Sequence, residues 1–115
     1  MDTFTRHYII AALWSSTDEN DCALDDNYSA DDIAPETRAE MEVDCADFQI
    51  TNADLLAESG LSLEQQGHDF WLTRNRHGAG FWDRGLGEAG RKLTDMAHVY
   101  GSVDLYVGDD GQIYA

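Results

Sequence analysis

The sequence predicts an α+β domain, helix-rich, with a small antiparallel hairpin near the C-terminus and residues 1–115 forming one unit. Three observations carry this. Apolar residues recur at helical spacing through most of the chain. The one proline, and glycines at 60 and 101, stand where helices would begin and end. Residues 103–114 flank a Gly108-Asp109-Asp110-Gly111 turn and read as two short strands. With 115 residues, 43% apolar and 10% aromatic, the chain is long enough for one modest core and too apolar for a disordered acidic tail.

Residues 5–15 read as a short helix through Tyr8, Ala11, Ala12 and Leu13, with a buried strand as the competing reading. Residues 17–30 read as a polar loop turning at Asp25-Asp26-Asn27. Ser29 is placed to cap a short turn over Asp31–Ala34. Pro35 suits the first position of a long helix and Gly60 its stop. Between them Met41, Cys45, Phe48, Asn52 and Leu55, backed by Leu56, advance as one seam with a polar interruption. A further helix is expected over about Leu61–Arg74, with Leu63, Phe70 and Trp71 as its buried stripe. Residues 75–84 read as a glycine-containing segment, extended around Phe81-Trp82. Another helix covers about Leu86–Tyr100 through Ala89, Leu93, Met96 and Ala97, closed by Gly101. Val103–Val107 and Gln112–Tyr114 complete the hairpin.

Charge is the unusual property. The chain carries 23 acids against seven bases, net −16. Residues 18–66 hold 15 of those acids and one base, Arg38, whereas residues 67–115 hold seven acids and five bases. So acidic a chain repels phosphates, which argues against direct nucleic-acid binding and for a basic partner. On the long helix, Glu36, Glu40, Glu42, Asp44, Asp47, Asp54 and Glu58 span 22 steps, roughly 33 Å. Glu36, Glu40, Asp44 and Asp47 follow one row. A DNA strand places ~10 phosphates over that length, and the helix acids, helped by Asp18, Glu19, Asp21, Asp25, Asp26, Asp31 and Asp32 from the preceding segment, approach that density. Like charges at i,i+4 cost an isolated helix a few tenths of a kcal/mol each, so helix stability does not account for the row. Three plainer readings stand beside a nucleic-acid-mimicking surface: a solvated face, a salt-adapted surface, and divalent-cation binding. Salt adaptation would spread acids over the whole chain. Calcium would call for a D-x-[DN]-x-[DN]-G loop, and Asp18–Cys22 lacks the glycine and the distal glutamate.

The densest stretch, GHDFWLTRNRHGAGFWDRG over 67–85, is read as a brace. A catalytic site is not expected there, because no nucleophile elbow or phosphate-binding loop accompanies His77-Gly78-Ala79-Gly80. Cys45, His77 and Asp83 could be drawn as a triad, but Cys45 belongs to the apolar seam. His68 and His77 with Asp69 or Asp83 could ligate zinc, yet no H-E-x-x-H or C-x-x-C pattern is present. Phe70, Trp71, Phe81 and Trp82 instead offer ~150–250 Å² each for burial. Arg74, Arg76 and Arg84 are expected to pair inward with the acidic helix. Cys22 and Cys45 are expected free and reduced, a single bridge being the alternative.

Several blocks resemble a family of small acidic accessory proteins of bacteriophages and prophages: YIIAALWSSTD (8–18), LDDNYS (24–29), DIAPET (32–37), HDFWLTRNRHGAGFWDRG (68–85) and DLYVGDDGQIY (104–114). Where that family has Asn-Gly before His-Gly-Ala-Gly, this chain has Asn75-Arg76, a departure that adds positive charge. The resemblance implies a phage origin and, by itself, no activity. By analogy of charge and origin, antirestriction and anti-CRISPR proteins that imitate DNA set the functional expectation. Asp25, Asp26, Asp31, Asp32, Glu36, Glu40, Asp44 and Asp47 are then the partner-binding residues, presented to a basic host protein with a nucleic-acid-binding groove. No cofactor and no metal are expected. The longest apolar run, Tyr8–Trp14, is too short to cross a bilayer, and the N-terminus lacks signal-peptide features, so the host cytoplasm is the expected location. The alternative is a structural domain that dimerises or decorates an assembly through Trp14 and the helix seam.

Overall fold

The most enclosed helix is one of the most polar in sequence. In the computed structural model, which describes residues 1–115, Leu63–Arg74 runs through the middle of the molecule and buries Gln66, Gly67 and every residue from Asp69 to Arg74. Around it stand the rest of six α-helices and one two-stranded antiparallel sheet. In chain order they are α1 Thr3–Ser15, α2 Leu24–Asn27, α3 Pro35–Thr51, α4 Ala53–Ser59, α5 Leu63–Arg74, α6 Glu88–His98, β1 Tyr106–Val107 and β2 Ile113–Tyr114. The helix-rich architecture with a C-terminal hairpin is the one the sequence predicts.

α1 lies directly on α5. Gly67 permits this: a Cβ there would sit 2.0 Å from the Phe4 carbonyl oxygen. At one end of α1, Asp2 caps by accepting from the Thr5 amide at 2.8 Å; at the other, the Trp71 indole donates to Ser15 Oγ at 2.7 Å. The core between α1, α3 and α5 is aromatic. Phe48 stacks on Phe70 with centroids 4.1 Å apart, and Phe4, Tyr8, Phe81 and Tyr100 pack around that pair. Such contacts add roughly 0.5–1.5 kcal/mol each beyond their area. α6 closes against Phe81 through Gly90 and buries Leu93 and Ala97. The hairpin, paired Tyr106 to Tyr114 and Val107 to Ile113, is tied to the start of α3 by the Ala34 amide, which donates to the Ile113 carbonyl at 2.9 Å.

Several local expectations are corrected. Asp25-Asp26-Asn27 is the single-turn helix α2, not an open turn. The long helix starts at Pro35 and stops at Gly60 (φ 71°), but it breaks at Asn52 (φ −113°, ψ 22°), whose buried side chain donates to the Phe48 carbonyl at 3.0 Å. Leu63 is exposed, not part of the buried stripe. Phe81–Asp83 forms a 3₁₀ turn, because the Asp83 carboxylate accepts from the Gly80 amide at 3.0 Å and closes the chain on itself. Ser29 does cap a 3₁₀ turn over Ala30–Asp32. Arg76 adopts φ 58°, the left-handed region that favours glycine.

Candidate functional site

The acids of α3 divide by helical position. At ~100° per residue, Glu36, Asp47, Glu40 and Asp44 fall within a sector of about 80° on one flank of the buried seam. Arg38 and Gln49 fall on the other flank. Those two look toward the N-terminal side: Gln49 Nε2 donates to Asp2 at 3.1 Å, and the Arg38 guanidinium donates to the Ala30 carbonyl. The row faces the C-terminal side instead, where Tyr100 and Arg74 stand.

Two members of the row are consumed there. Arg74 is 3% exposed and its Nη1 contacts Asp44 Oδ2 at 2.8 Å. The same guanidinium donates to the Tyr8 hydroxyl (3.1 Å) and to the carbonyls of Gly101 and Tyr100 (both 2.9 Å), and lies over the Phe70 and Tyr100 rings. Burial opposes its charge, but Tyr8 and Asp44 more than offset this and raise its pKa. Asp47 accepts from the Tyr100 hydroxyl, whose own proton is held more tightly through burial and that bond. Asp44 is therefore committed to an internal network, and Asp47, though exposed, already has a partner within the fold.

Glu36 and Glu40 stay exposed and unpaired. Over Glu36–Asp47, about 17 Å of helix, one DNA strand would carry ~5 phosphates. Two free carboxylates give less than half of that, so α3 alone is too sparse to stand in for a strand.

The remaining four expected residues belong to the preceding segment. Asp25, Asp26 and Asp31 are exposed, and Asp32 accepts from the Ser29 amide at 2.8 Å. Asp25 rims a shallow apolar cleft of about 250 Å³ floored by Ile9, Leu13 and Tyr28. Of the eight carboxylates, Asp44 and Asp47 are engaged by Arg74 and Tyr100 and Asp32 by its own turn, so they do not present one uninterrupted row.

The arginines divide as well. Arg74 pairs with the acidic helix as expected. Arg84 does not: it binds Asp69 of α5 through Nε (3.1 Å) and Nη2 (2.9 Å), and that pairing raises its pKa. Asp69 is wholly buried and also accepts from Gln65 at 2.8 Å. Arg76 is exposed and makes no ion pair. The Asp69–Arg84 pair escapes sequence reading because 15 residues separate the partners.

Cys45 is enclosed, and burial pushes its thiol well above the usual range, so it holds no ready thiolate. Both cysteines are free; Cys22 lies half-buried in the acidic loop, its amide held by Asp18. His77 is exposed and shares a cleft with Ser15, Ser102 and Asp104 without a hydrogen bond to any of them. His68 packs against Trp14 with centroids 6.0 Å apart, and burial lowers its pKa. No three His, Cys, Asp or Glu side chains gather at a spacing that would hold a metal ion. The seam residues Met41, Cys45 and Phe48 are interior, so of the surface expected for a dimer only Trp14 is exposed. No helix is long and apolar enough to cross a membrane. Compared with family models, curated proteins and solved structures, the chain matches none.

Proposed function

We propose that this chain is an acidic inhibitor or modulator that occupies a basic, nucleic-acid-binding groove of a host protein. One observation carries the reading: of the 15 acids between residues 18 and 66, Asp44 alone has an ion-pair partner. The only base in that segment, Arg38, gives a guanidinium nitrogen to a backbone carbonyl. The negative potential there is left for solvent or a partner to balance, while the acids that the fold needs are balanced internally.

The carboxylates would replace phosphates at the groove, steering encounter and blocking entry. Asp25, Asp26, Asp31 and Asp32 form one bearing group and Glu36 with Glu40 the other. Asp44 is spent on Arg74, and Asp47 contributes less, since Tyr100 already engages it. Because the density is below that of DNA, the imitation is of charge and not of strand geometry.

Immobilised protein should retain a basic nucleic-acid-binding protein from host extract and release it to random-sequence duplex DNA. Raising salt from about 0.1 M to about 1 M, which shortens screening from ~10 to ~3 Å, should also release it. A Glu36→Lys/Glu40→Lys/Asp31→Lys variant should retain nothing while keeping its circular dichroism. Retention that DNA does not compete, or that this variant preserves, would defeat the reading.

A further inference from the structure

α3 also has an outer face that is not acidic. Ala39, Val43, Ala46 and Ile50 follow one another at i, i+4, i+7 and i+11, and all four are exposed. Val43 is 65% and Ile50 79% exposed, the latter the most exposed large apolar side chain of the chain. At ~100° per residue these four occupy a sector of about 60°, extending over about 17 Å, or three helical turns. Glu36, Glu40 and Asp47 border the strip on one side and Glu42 on the other. The strip is separate from the buried seam, so packing inside this chain does not explain it. A contiguous apolar strip rimmed by charge is the kind of surface that marks a contact with a partner.

We propose that this strip is a docking face for a basic amphipathic helix of another protein. The spacing is that of helix-to-helix anchoring, in which successive turns present one apolar contact each. The choice of occupant follows from the borders. Lysines and arginines flanking the partner's apolar ridge would reach Glu36, Glu40 and Asp47 on one side and Glu42 on the other. A second copy of this chain would bring those same carboxylates against one another, on a molecule of net charge −16. This rests on the reading above only for the sign of the partner's charge; it adds that apolar contact, absent from a pure charge decoy, supplies the salt-resistant part of the affinity.

The test uses the full chain and two synthetic helical peptides of equal length and charge, one with a leucine ridge among lysines, the other with alanine in place of leucine. Binding is followed by fluorescence anisotropy. At about 0.5 M salt, where charge attraction is largely screened, the leucine–lysine helix should still bind and the alanine–lysine helix should not. Val43→Ser/Ile50→Ser should weaken that binding by roughly tenfold or more, since each side chain loses an apolar contact. Ile10→Ser/Trp14→Ser, which alters exposed apolar residues of α1, should leave it unchanged. Loss of binding in the α1 variant instead, or equal binding by wild type and the α3 variant, overturns the proposal. So does a wild-type dimer in sedimentation that the α3 variant dissolves, because the strip would then belong to a second copy. If the peptide binds as stated while DNA fails to compete in host extract, the docking face stands and the groove-blocking role falls.

Discussion

Asp69 and Asp31 are the same residue type in the same acidic chain, and the fold treats them in opposite ways. Asp69 is wholly buried in α5 with Arg84 and Gln65 around it. Asp31 stands in solvent with no ion-pair partner. The contrast extends to whole regions. From α5 onward, Arg74, Arg84 and Arg91 each meet a carboxylate, and the buried polar side chains all have hydrogen-bond partners. From residue 18 to the end of α4, carboxylates gather with Arg38 as the one cation among them. In one region charge is architecture; in the other it is surface. α3 is where the two regimes meet, with Asp44 turned to Arg74 and Glu36 and Glu40 turned outward.

The largest test of that division is Arg74→Met. It strands the Asp44 carboxylate and leaves the Tyr8 hydroxyl and the carbonyls of Tyr100 and Gly101 without a donor. The expected cost is about 3 kcal/mol, at the lower end for a broken buried pair because Asp44 is 35% exposed. Urea unfolding would read it, and a loss under about 1 kcal/mol would mean that the network is ornamental. Asp69→Asn keeps the shape but removes the charge that holds Arg84, and should cost about 2 kcal/mol by the same measurement. Arg76→Gly sharpens the contrast from the other side. Arg76 pairs with nothing and sits at φ 58°, so the substitution should leave stability unchanged or raise it by up to about 1 kcal/mol.

Glu36→Gln/Glu40→Gln should change stability by a few tenths of a kcal/mol at most, because the like-charge repulsion that is lost is offset by the favourable interaction of Glu36, in the first turn of α3, with the helix dipole. A clear destabilisation would reveal an internal partner for these two. The smallest effect concerns the hairpin. The Tyr114 hydroxyl donates to Asp110 at 2.6 Å; this bond pushes Tyr114 up to about 12 and pulls Asp110 down. A depressed carboxyl supports the fold above its unfolded value of 3.8 and loses that support as pH falls through its folded value. A raised phenol supports it below 10.0 and loses that support as pH climbs toward about 12. Tyr114→Phe should raise Asp110 toward the ordinary carboxyl range in a carbon-detected NMR titration, the Gln112 amide still holding part of the lowering, with global stability hardly moved.

What was legible in the sequence follows from what apolar spacing and turn residues encode. Pro35, Gly60 and the Gly108–Gly111 turn mark boundaries through backbone chemistry, and those boundaries hold in the fold, whereas α6 ends at His98, short of the stop expected at Gly101. The seam of Met41, Cys45, Phe48 and Leu56 was equally plain. Asn52 was not read as a break because it occupies a seam position at helical spacing; only its amide, which can satisfy a carbonyl four residues back, hinted otherwise. α5 departs from apolar spacing in part: Phe70 and Trp71 are buried as expected, but so are Gln66, Asp69, Thr73 and Arg74, while Leu63 is exposed. Polar burial of that kind depends on partners far along the chain, such as Tyr8, Asp44 and Arg84, which local sequence does not announce. The same blindness made the α3 acids look like one outward row: periodicity gives the flank, and the distant Arg74 and Tyr100 decide what the flank meets.

The two cysteines offer a practical consequence. With Cys45 enclosed and its thiol held protonated by burial, a maleimide added to the native molecule should modify Cys22 alone. That puts a fluorescent reporter among Asp18, Glu19 and Asp21 without any engineered substitution, on the very part of the surface whose occupancy is at issue.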